Sequence, residues 1–172
     1  MSPLYPLAKA IVLLAEGPGG VAESGDAGGL TVFGITETYD ASWAGWPYAK
    51  QMIAQGVLPA HFDTDETLMA FVDQFYQGQW AEAHMDLFTD QAFANSYFGG
   101  YVNEGPKVAK FLQEVAGVEE DGILGAHTMN CLANLGPSLG LAQFKLARVY
   151  YYSETASLDD LRGLINRVKM GA

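Results

Sequence analysis

Apolar residues at positions 4, 7, 8, 11, 14 and 15 recur at the spacing of one helix face, which predicts a half-buried helix over 4–16. Glycines at 17, 19 and 20 stop it. The period then changes. Leu30-Thr31-Val32-Phe33-Gly34-Ile35-Thr36 is β-branched and aromatic around a glycine, and predicts a small hairpin inside a loop segment over 17–36. Beyond it the helical period returns, first over 45–56, ending at Gly56. A longer helix starts at Thr64-Asp65-Glu66-Thr67, with Thr64 the expected N-cap, and runs through Leu68, Phe71, Val72, Phe75 and Tyr76. Further helices are expected near 89–103, 106–116, 126–135, 137–152 (starting at Pro137) and 157–169. Residues 108, 111, 112 and 115 form one buried stripe; Thr128, Cys131, Leu132 and Leu135 form another. Tyr150-Tyr151-Tyr152 mixes faces, so at least one ring should be exposed. The pattern is α+β and predominantly α, with a small β-hairpin near the N-terminus and a helical second half.

Size and composition narrow the class. The 172 residues suit one compact unit, with room for two lobes around a cleft, and 49% hydrophobic residues are enough for a core. No stretch reaches the roughly 18 uninterrupted apolar residues of a membrane span. The N-terminal apolar run lacks a basic leading region and a cleavage site, so it reads as a core helix. Synthesis in the cytoplasm without a signal peptide is therefore expected. The single cysteine, Cys131, rules out an intramolecular disulfide. His61, His84 and His127 are scattered with no partner at ligand spacing, so no metal and no cofactor are expected. Twenty acidic against nine basic residues give a net charge of −11, which argues against nucleic acid as a partner.

Candidate chemistry lies around the first helix end. Glu16 closes that helix, Asp26 follows on a glycine-rich loop, and Thr31 opens the hairpin. Carboxyl groups on opposite sides of a sugar suit glycosidic bond cleavage: one protonates the leaving oxygen, the other activates a water or attacks the anomeric carbon. In that reading Glu16 is the acid, while Asp26 and Thr31 hold the water. The glycines let the backbone turn sharply and pass close to a polymer. The plainer reading is a glutamate that happens to precede a flexible loop. A calcium loop is disfavoured, because oxygen ligands at alternate positions are too few. Among the aromatics, Phe71 and Phe75 follow helical spacing and read as core. Tyr39, Trp46 and Trp80 are candidates for stacking on sugar rings.

The stretch Asp26-Ala27-Gly28-Gly29-Leu30-Thr31-Val32-Phe33-Gly34-Ile35 resembles the Asp-x-Gly-Gly-x-Thr-x-x-Gly-Ile motif of glycoside hydrolase family 108, the N-acetylmuramidases of the lysozyme superfamily. The family's Glu-Gly-Gly reads here as Glu16-Gly17-Pro18-Gly19-Gly20, a loop one residue longer. Asp121-Gly122-Ile123-Leu124-Gly125-Ala126-His127-Thr128, after a Leu-Gln helix, resembles that family's predicted peptidoglycan-binding region. The resemblance implies a lysozyme-like fold, with a catalytic lobe over 1–100 and a helical lobe over 101–172. It also implies that Glu16 is the catalytic acid, that Asn103 faces the cleft and bonds an N-acetyl group, and that the partner is bacterial peptidoglycan. The expected reaction is hydrolysis of the β-1,4 bond between N-acetylmuramic acid and N-acetylglucosamine. Lytic transglycosylation, or a non-catalytic wall-binding virion protein keeping the fold, are the alternatives. Peptidoglycan is itself anionic, so the net charge fits either an enzyme delivered to the wall by a phage particle or secretion apparatus, or one from a salty habitat where the field is screened.

Overall fold

The first helix, α1 (Tyr5–Glu16), buries Tyr5, Ala8 and Val12 in a computed structural model that describes residues 2–18 and 29–171. The expected stripe through 7 and 14 is not the buried one: Leu7 is 50% exposed and Leu14 74%. Tyr-Pro-Leu-Ala-Lys-Ala-Ile-Val-Leu-Leu-Ala-Glu is apolar nearly all round, so its period selects no unique face and packing chooses the one through 5, 8 and 12.

The chain forms two compact units, Glu16–Gly78, and Met1–Ala15 with Gln79–Ala172. The smaller unit holds β1 (Thr31–Val32), β2 (Ile35–Thr36), α2 (Trp46–Ala54) and most of α3 (Glu66–Glu82). The strands pair antiparallel, Thr31 opposite Thr36 and Val32 opposite Ile35. Val32, Ile35, Phe62, Leu68, Val72 and Tyr76 are fully buried. Pro59–Thr64 forms a 3-10 helix that the sequence pattern does not predict, because so short a piece has no period of its own. It also moves the expected cap by one residue. Thr64 donates its hydroxyl back to the His61 carbonyl at 2.8 Å, and the Asp65 carboxylate accepts the Leu68 N–H at 2.8 Å. Asp65, in extended backbone, is the cap.

The larger unit is built around α4 (Gln91–Glu104), with α5 (Val108–Ala116), α7 (Pro137–Thr155) and α8 (Leu158–Met170) packed on it and α6 (Ala126–Ala133) against α5 and α7. Every residue from 93 to 101 is buried, so α4 is a central helix rather than an amphipathic one. Asp90 caps its start, accepting the Phe93 N–H at 2.8 Å. Tyr5, Trp80 and Phe98 meet edge to face at 5.0–6.5 Å. After α5, the buried Gln113 amide donates to Asp121 Oδ1 at 2.6 Å and accepts the Gly122 N–H at 2.8 Å, which fixes the turn of residues 121–123. Tyr150 is exposed and Tyr152 buried, so the three tyrosines do point to different sides. No described helix is long and apolar enough to cross a membrane.

Candidate active site

Glu16 is the last residue of α1 and is half-buried. Gly17, at φ +68°, ends the helix in the left-handed region that glycine alone enters freely, and Pro18 then prevents continuation. The hairpin lies directly against the Glu16 side chain. Its two-residue turn is Phe33-Gly34, with φ of +49° and +81°. Positive φ at both central residues is the type I′ geometry, whose twist matches that of the flanking strands. A Cβ added at Gly34 would lie 2.7 Å from Glu16 Cγ and 3.0 Å from its carboxyl carbon and Oε2. The carboxyl group therefore rests on the bare α-carbon of the turn.

Phe33 is a bulky residue in a region that L side chains disfavour. Its ring is buried, and its carbonyl accepts a 2.6 Å hydrogen bond from the hydroxyl of Tyr76 on α3. At the far end of the hairpin the Thr36 N–H donates to Asp40 Oδ2 at 3.1 Å, and the Asp40 N–H returns to the Thr36 carbonyl at 2.8 Å. Both ends of this very short sheet are thus held by residues outside it.

Thr31 begins β1 and is half-buried; Glu16 meets this hairpin at Gly34 of its turn. Asp26 lies outside the described residues. Tyr39 is 83% exposed in the same unit. Trp46 and Trp80 are core residues here, not open rings. Trp46 is 4% exposed, donates its indole N–H to the Asp40 carbonyl at 2.8 Å and meets Trp43 edge-on at 4.8 Å. Trp80 is 7% exposed, against Tyr5 and Phe98. Asn103 is next to last in α4, close to the expected end of that helix. It donates to the Gly99 carbonyl and accepts from Arg167 Nη1, both at 2.7 Å. Trp80 and Asn103 belong to the larger unit.

Two groups carry no distinguishing signal in the sequence. Tyr76 appeared only as one member of a helical apolar stripe, and nothing local marks its hydroxyl as a partner of Phe33. Glu104, the last residue of α4, is buried with the Arg148 guanidinium at 2.9 Å. Burial pushes its carboxyl up to about 7, with Arg148 and then Lys107 opposing the rise. Its tripeptide, Glu-Gly-Pro at 104–106, repeats that at 16–18, and nothing local distinguishes the buried glutamate from the half-buried one.

A predominantly helical chain with a short hairpin, and a helix-terminal glutamate lying on it, is a lysozyme-like α+β protein. A family model described as glycosyl hydrolase 108 matches residues 10–105, more than half the chain. The chain belongs to this family of peptidoglycan-acting glycoside hydrolases. Among solved structures it is similar to that of Brucella abortus SagA, at 23% identity and a TM-score of 0.68, covering 96% of this chain and 90% of that one. That likeness concerns the fold. No curated protein matches the chain.

Proposed function

We propose that this chain hydrolyses the β-1,4 bond between N-acetylmuramic acid and N-acetylglucosamine, with Glu16 as general acid. The observation that carries the reading is the Glu16 carboxyl resting on Gly34, at the turn of the hairpin that Thr31 opens. It falls inside the stretch matched to the glycosyl hydrolase family. Glu16 gives its proton to the glycosidic oxygen as the bond to the anomeric carbon breaks. A water held by Asp26 and Thr31 adds to that carbon and passes its proton to Asp26. The net charge of −11 favours delivery to the anionic wall by a phage particle or secretion apparatus, with action in the periplasm or from a virion. The test is digestion of purified peptidoglycan, followed by turbidity and mass spectrometry, with Glu16→Gln beside the wild type. New reducing N-acetylmuramic acid ends from the wild type alone are expected. A 1,6-anhydro product would replace hydrolysis by transglycosylation. Inert wild-type protein that still pellets with the wall would leave only a binding role.

A further inference from the structure

We infer that Gly34 and Tyr76 are positioning residues for the Glu16 carboxyl, fixing from below the surface on which it rests; the inference depends on the reading of Glu16 as the acid. Two demands meet at Gly34. Its φ of +81° suits glycine, and the space where a Cβ would go is filled by Glu16 Cγ at 2.7 Å. The first demand is shared by any type I′ turn. The second is particular to this site: glycine is needed there because another residue's side chain occupies its missing one.

Such a seat works only if the turn does not move. Val32 and Ile35, on either side of it, are 0% exposed, and Phe33 is 4% exposed. Rotation of the Phe33–Gly34 peptide, whose carbonyl oxygen belongs to Phe33, would shift the seat without exposing these side chains. The fully buried Tyr76 holds that oxygen at 2.6 Å across 43 residues of sequence. Loss of this bond frees the peptide unit under Glu16 while leaving the hairpin register and the apolar packing in place. Misplacing a reacting group by about 1 Å costs on the order of 100-fold in rate, so a small shift of this peptide is kinetically visible.

Three substitutions separate the possibilities. Gly34→Asn keeps a residue that tolerates positive φ but adds a Cβ against Glu16. Tyr76→Phe keeps the ring and removes the hydroxyl. Glu16→Gln tests the underlying reading. On soluble glycan strands, assayed well below each melting temperature, Gly34→Asn is expected to lower kcat roughly 100-fold and Tyr76→Phe roughly tenfold, with KM within about twofold. A purely structural role would lower the melting temperature and leave kcat per folded molecule unchanged, which would overturn the inference. A readout independent of activity is a melting cycle of Gly34→Asn with Glu16→Ala: most of the destabilisation by Gly34→Asn should vanish once the Glu16 side chain is cut back. Strict additivity would remove the contact. Full activity in Glu16→Gln overturns the catalytic reading itself. An inactive Glu16→Gln beside wild-type kcat in the other two variants overturns only the positioning role.

Discussion

Glu16-Gly17-Pro18 and Glu104-Gly105-Pro106 are the same tripeptide, and each closes an α-helix with a glycine at positive φ, +68° and +70°. Their glutamates nevertheless end in opposite circumstances. In the smaller unit Glu16 is half-buried and lies on a bare glycine of a hairpin turn. In the larger unit the Glu104 side chain is 2% exposed, and a fully buried Arg148 donates to both of its oxygens. Arg148 also donates to the Ser96 carbonyl at 3.0 Å, so the ion pair is tied into the central helix. Gly100 leaves room for the pair, since a Cβ there would meet Glu104 Oε2 at 2.9 Å and Arg148 Nε at 3.2 Å. A glutamate at a helix end is therefore no mark of catalysis by itself. One glycine makes room for a carboxyl group at a candidate acid site. The other makes room for a buried charge that needs its partner, because an unpaired charge in such a place is strongly unfavourable.

The sharpest test of this contrast is to turn each acid into its amide. Glu16→Gln should lose 100-fold or more in activity, on the order of what a general acid contributes, with an unchanged melting temperature. Glu104→Gln should do the reverse. It replaces one of the two oxygens that accept from the buried Arg148 guanidinium by an NH2 donor, a loss of about 1–3 kcal/mol, while kcat of the folded molecules is retained. Activity and thermal denaturation measured on both variants check the pair. Two variants failing in the same way would break the comparison.

The pH dependence of stability sharpens it. Burial, the largest influence, raises the folded Glu104 carboxyl from 4.5 to about 7. A folded value above the unfolded one means that the favourable contribution is complete below pH 4.5 and is lost as pH rises through about 7. Urea unfolding of the wild type should therefore show a stability decrement of roughly 3 kcal/mol at most across that window, on the scale of 1.36 kcal/mol per unit. In Glu104→Gln, which does not titrate there, that part of the slope should be absent. An identical slope in both would assign it to other groups.

A smaller effect is expected at the glycines. Among the described residues, no atom beyond the adjoining residues of the chain stands within 4 Å of where a Cβ would project at Gly17 or Gly105, so replacement by alanine acts through backbone strain. Gly17→Ala should cost about 1 kcal/mol. Gly105, at φ 70° and ψ −159°, occupies a region that is nearly glycine-only, and Gly105→Ala should cost about 1–3 kcal/mol. Chemical denaturation measures both. Equal costs would show that the two helix ends are strained alike.

The smallest expected effect concerns charge. With a net charge of −11, activity on intact wall should rise a few-fold, as an order of magnitude for a screened field, when ionic strength goes from about 0.01 to about 0.15 M. Hydrolysis of a short uncharged chitooligosaccharide should stay flat over the same range. A fall on wall would point to a local basic surface. Lys107, Lys110 and Lys145 are its candidates; Arg148 is buried with Glu104 and is not one of them.

By itself the sequence determined the order and nature of the main helices, the hairpin at 31–36 and the position of Glu16 at a helix end. These follow from local causes: apolar period, caps such as Asp90 and Ser157, and glycines and prolines acting within a few residues. It was also enough to carry the family resemblance, because that motif is contiguous. Tertiary structure alone decided that α1 buries 5, 8 and 12, that Trp46 and Trp80 turn into the core, and that Asn103 bonds Arg167. It alone placed Glu16 on Gly34, joined Tyr76 to Phe33 and paired Glu104 with Arg148, 44 residues away. Propensity and capping act along the chain, whereas burial and the choice of a polar partner depend on which distant residues fill the same space. That is why two identical tripeptides carry two different carboxylates.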